Sequence, residues 1–353
     1  MTQTHSQTTE ETRSPMMQLG LFDWQNRFEK LDKNGDPLVK LNKVVRWNSF
    51  RPALEKLRDR DKKSNAGAKP YDVVVMFKIL ILQSLYNLSD EATEYQVLDR
   101  LSFMRFLGLR LGSRVPDAKT IWLFREQLAE AGMAEKLFRR FERVLEESGF
   151  AARKGQIIDA SIVQAPTQRN SREENARIKE GEIPQEWQEA KKRQKDSDAQ
   201  WTKRNGKKYY GYKNHINVDV KHKFIRSYAV TDASVHDSQV FDELLQESNT
   251  STGVYADSAY RSKESIALLT ERGFRERMQR KGCRHRKLTQ REQQGNKTRA
   301  KIRCRIEHVF GVMAMMAKSL MVRTIGIVRA RTKIGLRNLA YNINRYGLLA
   351  ITG

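Results

Sequence analysis

Three acidic residues in this chain have the surroundings to do chemistry: Asp159, Asp257 and Glu307. Asp159 sits inside residues 156–163, QIIDASIV, with Ile157 and Ile158 before it and Ile162 and Val163 after. A short apolar run rich in β-branched residues reads as a buried strand. A carboxylate there is costly to desolvate unless a cation or hydrogen bonds meet it. Asp257 closes a second short apolar run, GVYAD, and Glu307 lies in a long helical pattern near the C-terminus. Brought together, two Asp and a Glu would repel one another unless a cation sat between them. Their oxygens suit a hard divalent ion. Each acid also has a plainer reading. Asp159 would be a hydrogen-bonded strand-end Asp, Asp257 a cap over residues 258–260, and Glu307 a solvated helix acid paired with Arg303.

These acids stand in a strongly basic chain. Its 353 residues carry 66 Lys+Arg against 42 Asp+Glu, a formal net charge of +24. Such an excess draws a polyanion, nucleic acid above all. An anionic membrane would compete, but no basic amphipathic helix with a Trp/Phe/Leu face is evident. The longest apolar run, residues 73–86, contains Lys78 and Gln83 and is too short to span a bilayer, so no membrane partner is expected. Only two cysteines occur, Cys283 and Cys304, which argues against a disulfide framework or a zinc finger and suits a reducing cytosol. The opening stretch, MTQTHSQTTEETRSP, lacks the apolar core of a secretory signal, and a cytoplasmic location is expected.

Positive charge concentrates in residues 275–305, with thirteen Lys/Arg and two acids. Arg280, Lys281, Arg284, Arg286, Lys287, Lys297 and Lys301 are the candidate nucleic-acid contacts, although a merely solvated face would have the same composition. The window has few aromatics, so contacts to the phosphate backbone are expected rather than base stacking.

The elements that must position these groups follow from periodicity and punctuation. Residues 1–16 are polar and expected to be a disordered tail. Residues 17–150 read as an all-helical, DNA-binding domain. Within it Val73, Phe77, Leu80 and Ile81 fall on one helix face. Ser89 caps a second helix, SFMRFLGL ends near Gly108, and Asp117 caps AKTIWLFREQLAEAG, which ends at Gly132. A further helix covers 134–147. Residues 90–101 and 118–128 are both candidates for the helix that reads DNA.

After Gly149 the pattern changes to that of residues 151–353, an α/β domain. Its first strand is 156–163, and residues 166–210 form a basic, partly helical insertion packed through Trp187 and Trp201. NHINVDV and KFIRSYAV then make a hairpin at Lys221 and His222. SQVFDELLQES is a helix capped by Asp237, GVYAD a strand, and a helix opens at Ser262. FRERMQ is a last strand, residues 298–320 a long helix with Ile302, Ile306, Val309 and Met313 on one face, and 333–351 a closing helix. This order predicts a ribonuclease-H-like mixed sheet with flanking helices, preceded by the helical domain. The first strand is then central and the fourth lies beside it, so Asp159 and Asp257 become neighbours near strand ends, where ligands gather. Glu307, on the long helix 298–320, would reach the same point. His215, His236 and His308 have spacings that suit no zinc site and read as structural.

Several motifs in this order resemble those of bacterial DDE-type insertion-sequence transposases, specifically the "IS five" or InsH-like group, from about residue 35 to residue 350. IIDASIVQAP resembles that group's first-Asp motif, YGYKNHINVD and VTDASVHDSQ its second- and third-strand motifs, VYADSAY its second-Asp motif and RCRIEHVFG its Glu motif. The resemblance implies that Asp159, Asp257 and Glu307 are catalytic metal ligands. Arg303 matches the family's Arg four residues before the Glu. The broader superfamily often has a Lys seven after it; here that position is Ala314, and Lys318, eleven after, returns to the same helix face as a substitute. The implied activity is that of a transposase binding the terminal inverted repeats of its element. It would cleave and transfer strands with Mg²⁺, or Mn²⁺, by in-line displacement. Its implied partner is double-stranded DNA at the nucleoid, bound as a homodimer because two ends must be paired. A domesticated or inactive copy that binds DNA without catalysis is the alternative, and a ribonuclease-H-like nuclease acting on other structured nucleic acid is a third reading.

Overall fold

The computed structural model describes residues 23–58, 69–317 and 321–352. The expected tail, residues 1–16, lies outside them. Strands form where the apolar runs are short: β1 (Gln156–Gln164), β2 (Gln200–Arg204), β3 (Lys207–Asp219), β4 (Ile225–Asp232), β5 (Gly253–Tyr255) and β6 (Arg275–Glu276). β3 pairs antiparallel with β1, with β4 and, through its first residues, with β2. β5 joins the other edge of β1 in parallel, and β6 joins β5 in parallel. Three antiparallel strands followed by two parallel ones, with β1 central, is the ribonuclease-H-like arrangement the sequence order predicts. The close approach of β3 to the end of β1 requires a glycine. At Gly211 (φ +145°) a Cβ would lie 2.4 Å from the Val163 carbonyl oxygen.

Between β1 and β3 the chain forms a basic insertion, with helices Arg172–Lys179 and Glu189–Gln194 ahead of β2. Trp187 is buried there, its indole N–H donating to Glu174, and Trp201 packs on Tyr210 with ring centroids 5.3 Å apart while staying 44% exposed. The helix expected after His236 is short, a 3₁₀ turn Asp237–Val240 and then Phe241–Leu244. His236, not Asp237, accepts the capping N–H of Ser238, because the Asp237 carboxylate is taken by Lys213 at 2.9 Å.

The helical region begins as its caps predict. Ser89 accepts the Ala92 N–H, Asp117 accepts that of Thr120, and Gly108 ends Leu101–Leu107 in a left-handed conformation. Helix Val73–Tyr86 departs from the one-face expectation and is buried on almost every side. The reason is its neighbours: Ala118–Glu130, Gln290–Ala317 and Ile327–Thr352 all pack on it. One continuous core therefore runs from Leu38 and Phe77 through Ile157 and Val218 to Ile306 and Leu339. A buried ion-pair network also ties the two regions, with Arg226 of β4 bonded to Asp219 at the end of β3 and to Glu142 on helix Met133–Glu147. Among the described residues no single helix is long and apolar enough to cross a membrane. Cys283 and Cys304 are both exposed and free.

Candidate active site

Strand alternation decides which face each acid meets. Along β1, Ile157 belongs to the large core that contains Ile306 and Val309 of helix Gln290–Ala317, and Ile158 to a smaller core on the opposite face. Asp159 has the parity of Ile157 and so faces that helix. On β5, Tyr255 packs against the large core while Val254 and Ala256 belong to the small one. Asp257 follows β5 in a turn, and its charge acts on Asp159. The last β1–β5 pair is Ile157 with Tyr255, and each Asp lies two residues beyond it. Glu307 is carried on the helix that packs over β1 and β5.

Asp159 is buried, with 7% of its surface exposed. One carboxylate oxygen accepts the Ala160 N–H at 2.8 Å, and the other accepts Arg303 Nη1 at 2.9 Å. The second guanidinium nitrogen of Arg303 reaches Glu307 Oε1 at 3.4 Å. Arg303 thus stands between two of the acids, and its Nε is buried without a partner among the described residues. Burial raises the Asp159 carboxyl to about 6. The Ala160 N–H and Arg303 pull it down, while the charge of Asp257 pushes it further up. Asp257 is half-buried and accepts the Ala259 N–H at 2.8 Å, which makes it a turn-former as well as a neighbour of Asp159. The Glu307 side chain is 63% exposed.

The structure brings Asp159 and Glu307 onto one guanidinium and puts Asp257 within electrostatic range of Asp159. It does not draw them into a ready-made cage: among the described residues no three His, Cys, Asp or Glu converge to hold a metal ion. The donor chemistry nonetheless fits a hard cation, since all three acids offer carboxylate oxygens and Asp159 is kept buried at a cost one guanidinium does not remove. Lys318 lies outside the described residues.

Two groups near Asp159 escape sequence reasoning. Arg204 of β2 acts on Asp159 electrostatically and donates to the Ala160 carbonyl at 3.4 Å. Tyr260 is fully buried, and its hydroxyl has no hydrogen-bond partner among the described residues. Burial and the nearby Asp237, Asp159 and Asp257 hold that hydroxyl well above the usual phenol range. Tyr260 lies in the VYADSAY stretch, so its position was the available signal; nothing in sequence points to Arg204.

Of the basic window, Lys281, Arg284, Arg286, Lys287, Lys297 and Lys301 are exposed and Arg280 half-buried. Glu292 pins Arg280 and Arg286 at 3.0 and 2.8 Å. Lys281, Arg284, Lys287, Lys297 and Lys301 make no ion pair among the described residues and carry their charge outward. His215 is buried and bonded to Thr231, and burial lowers it to about 4, so it is a structural histidine.

Residues 26–127 match the family model described as "Transposase domain (DUF772)", and residues 151–343 match "Transposase DDE domain". Among solved structures, the piggyBac transposase synaptic complex with hairpin DNA, determined by cryo-EM, is 10% identical. It aligns over 90% of this chain and 75% of its own, with a TM-score of 0.46.

Proposed function

Because the chain belongs to the DDE transposase family, we propose that Asp159, Asp257 and Glu307 are the catalytic acids with which it cuts and transfers DNA strands. Enzymes of this family use divalent metal ions, and we assign magnesium here, with manganese as substitute. Bound among the acids, the metal would supply positive charge to the attacking and leaving oxygens of an in-line displacement at phosphorus. Asp159 would hold it from the central strand, Asp257 from the end of β5 and Glu307 from the covering helix. Arg303 orients Asp159 and Glu307 toward one another and tempers their charge in the free protein.

The exposed cations of residues 275–305 bind the phosphate backbone, and residues 17–150 supply recognition of the element's terminal repeats. Two ends must be held at once, which favours a homodimer on the DNA, acting in the bacterial cytoplasm at the nucleoid. The sequence motifs support the narrower "IS five" or InsH-like placement. The observation that carries this reading is the meeting of Asp159 and Glu307 on Arg303, with Asp257 in electrostatic range of Asp159.

The test is strand cleavage of a duplex carrying the element's ends, with Mg²⁺, with Mn²⁺ and with chelator. Asp257→Asn and Glu307→Gln are expected to bind that duplex and to leave it uncut. Undiminished nicking by either variant removes that residue from the assignment. A second reading is favoured by the position of Arg303 itself, which fills the space between two acids: a DNA-binding protein that does not cut. Tight binding without cleavage by the wild type in both metals would select it.

A further inference from the structure

A cavity of about 670 Å³ lies away from the acids, between helices Asp90–Asp99 and Ala118–Glu130 on one side and residues 321–337 on the other. Two of its acids are already satisfied. Asp90 takes a bidentate pair from Arg125 at 2.6 and 2.7 Å, and Glu126 pairs with Arg329. Four cations in its wall have no ion pair among the described residues: Arg193, Arg323, Lys333 and Arg337, against one remaining acid, Glu91. Arg337 is 93% buried, and its Nη1, withdrawn from solvent, has no hydrogen-bond partner among the described residues. Burial, with Arg125 adding and the charge of Asp90 opposing, lowers Lys333 to about 8.

Desolvated cations without an acceptor are costly, and folds keep them where an anion is to be bound. The volume exceeds that of a lone oxyanion and leaves room for a length of sugar–phosphate chain. At the cavity wall Trp122 is 44% exposed, a flat ring of the kind on which a base stacks. The cavity is also tied to the catalytic strand. Val322 donates to the Gln164 carbonyl at 2.9 Å, at the end of β1. Asp159 is five residues back along that strand, roughly 17 Å at strand spacing, within reach of one DNA molecule.

We propose that this cavity is a second phosphodiester site, in which Lys333 and Arg337 contact the backbone of the DNA strand whose end is presented to the acids, with Trp122 stacking on a base. The inference rests on the transposase reading above.

The experiment uses the full chain and a duplex taken from the DNA flanking its gene. The slope of log affinity against log salt should become shallower by about 1.8 in Lys333→Met/Arg337→Met, about 0.9 for each lost contact. The same variant should melt higher than wild type without DNA, because unpaired buried charge has been removed. Trp122→Ala should lose about tenfold in affinity with its slope unchanged. Should Lys333 and Arg337 not tolerate replacement, Arg323→Glu on the exposed rim must make the slope shallower by at least about 0.9. Unchanged slopes in folded variants overturn the proposal. So does protection of the wild type by inorganic phosphate, absent in the double variant, with the DNA slope unmoved; that result describes a small-anion site. Wild-type cleavage with Mg²⁺ is measured alongside. Cleavage with unmoved slopes rejects the cavity alone, whereas its absence rejects the catalytic reading.

Discussion

Asp159→Asn removes a charge that the fold holds at a cost, and the cost is readable as a pH dependence. Burial lifts the folded carboxyl to about 6, against about 3.9 in an unfolded chain. Between those values the folded protein binds more protons than the unfolded one, so stability falls as pH rises. The contribution is fully present below the unfolded pKa and is gone above the folded one. Integrated between about pH 5 and about pH 7.5, it amounts to about 1.4 kcal/mol of extra stability at the lower pH. Asparagine has nothing to titrate. The assay is urea unfolding of both proteins at both pH values, in chelator. Wild type should gain about 1.4 kcal/mol more than the variant on acidification. Other buried acids, such as Glu142, which burial raises to about 7, are common to both proteins and cancel in that difference. The absolute stability at one pH is less informative, because the amide also deprives Arg303 of its charged partner. Identical pH responses would refute the claim that Asp159 is held strained by burial. The same variant should retain DNA binding and lose Mg²⁺-dependent cleavage.

Arg303→Ala takes away the cation that lowers the Asp159 carboxyl, so the titration window should extend upward and cleavage should fall at least about tenfold; unaltered cleavage would exclude Arg303 from the site. Arg226→Met leaves Asp219 and Glu142 buried without their cation and should cost about 3–5 kcal/mol, read as a lower urea midpoint; an unmoved midpoint would mean that network is not structural. Replacing Lys281, Arg284 and Lys287 together by Ala should make the salt slope of DNA binding shallower by about 2.7 and weaken all duplexes alike. A loss confined to the element's ends would instead mean that these residues read sequence.

How far sequence reasoning reaches depends on the range of the interaction. β1 and β5 are legible because alternation and β-branching are local, and strand order then makes Asp159 and Asp257 neighbours. The helix caps at Ser89 and Asp117 are local too. The start of helix Gln290–Ala317 lies ahead of the expected 298. Its first turns are polar and carry no apolar face. The signal was a capping box instead: Thr289 accepts the Glu292 N–H at 3.2 Å, and Glu292 accepts that of Thr289 at 3.0 Å. Asp219 offers no local sign of its role, because its partner Arg226 is seven residues on and Glu142 belongs to a helix of the preceding region. The all-round burial of Val73–Tyr86 was equally out of reach, since it depends on which distant helices pack there.

Secondary structure divides the site into a fixed half and an adjustable one. Asp159 is on a strand hydrogen-bonded on both edges, and Asp257 is anchored in the turn after β5 by the Ala259 N–H. The backbone of Asp159 is held in register by Ile216 of β3. Arg303 and Glu307 are one turn apart on a helix, and Glu307 is mostly exposed, so their side chains can change rotamer while the helix stays seated through Ile306 and Val309. Were the proposed acids to hold a cation, the Arg303 guanidinium would have to leave Asp159 and Glu307 would have to swing inward.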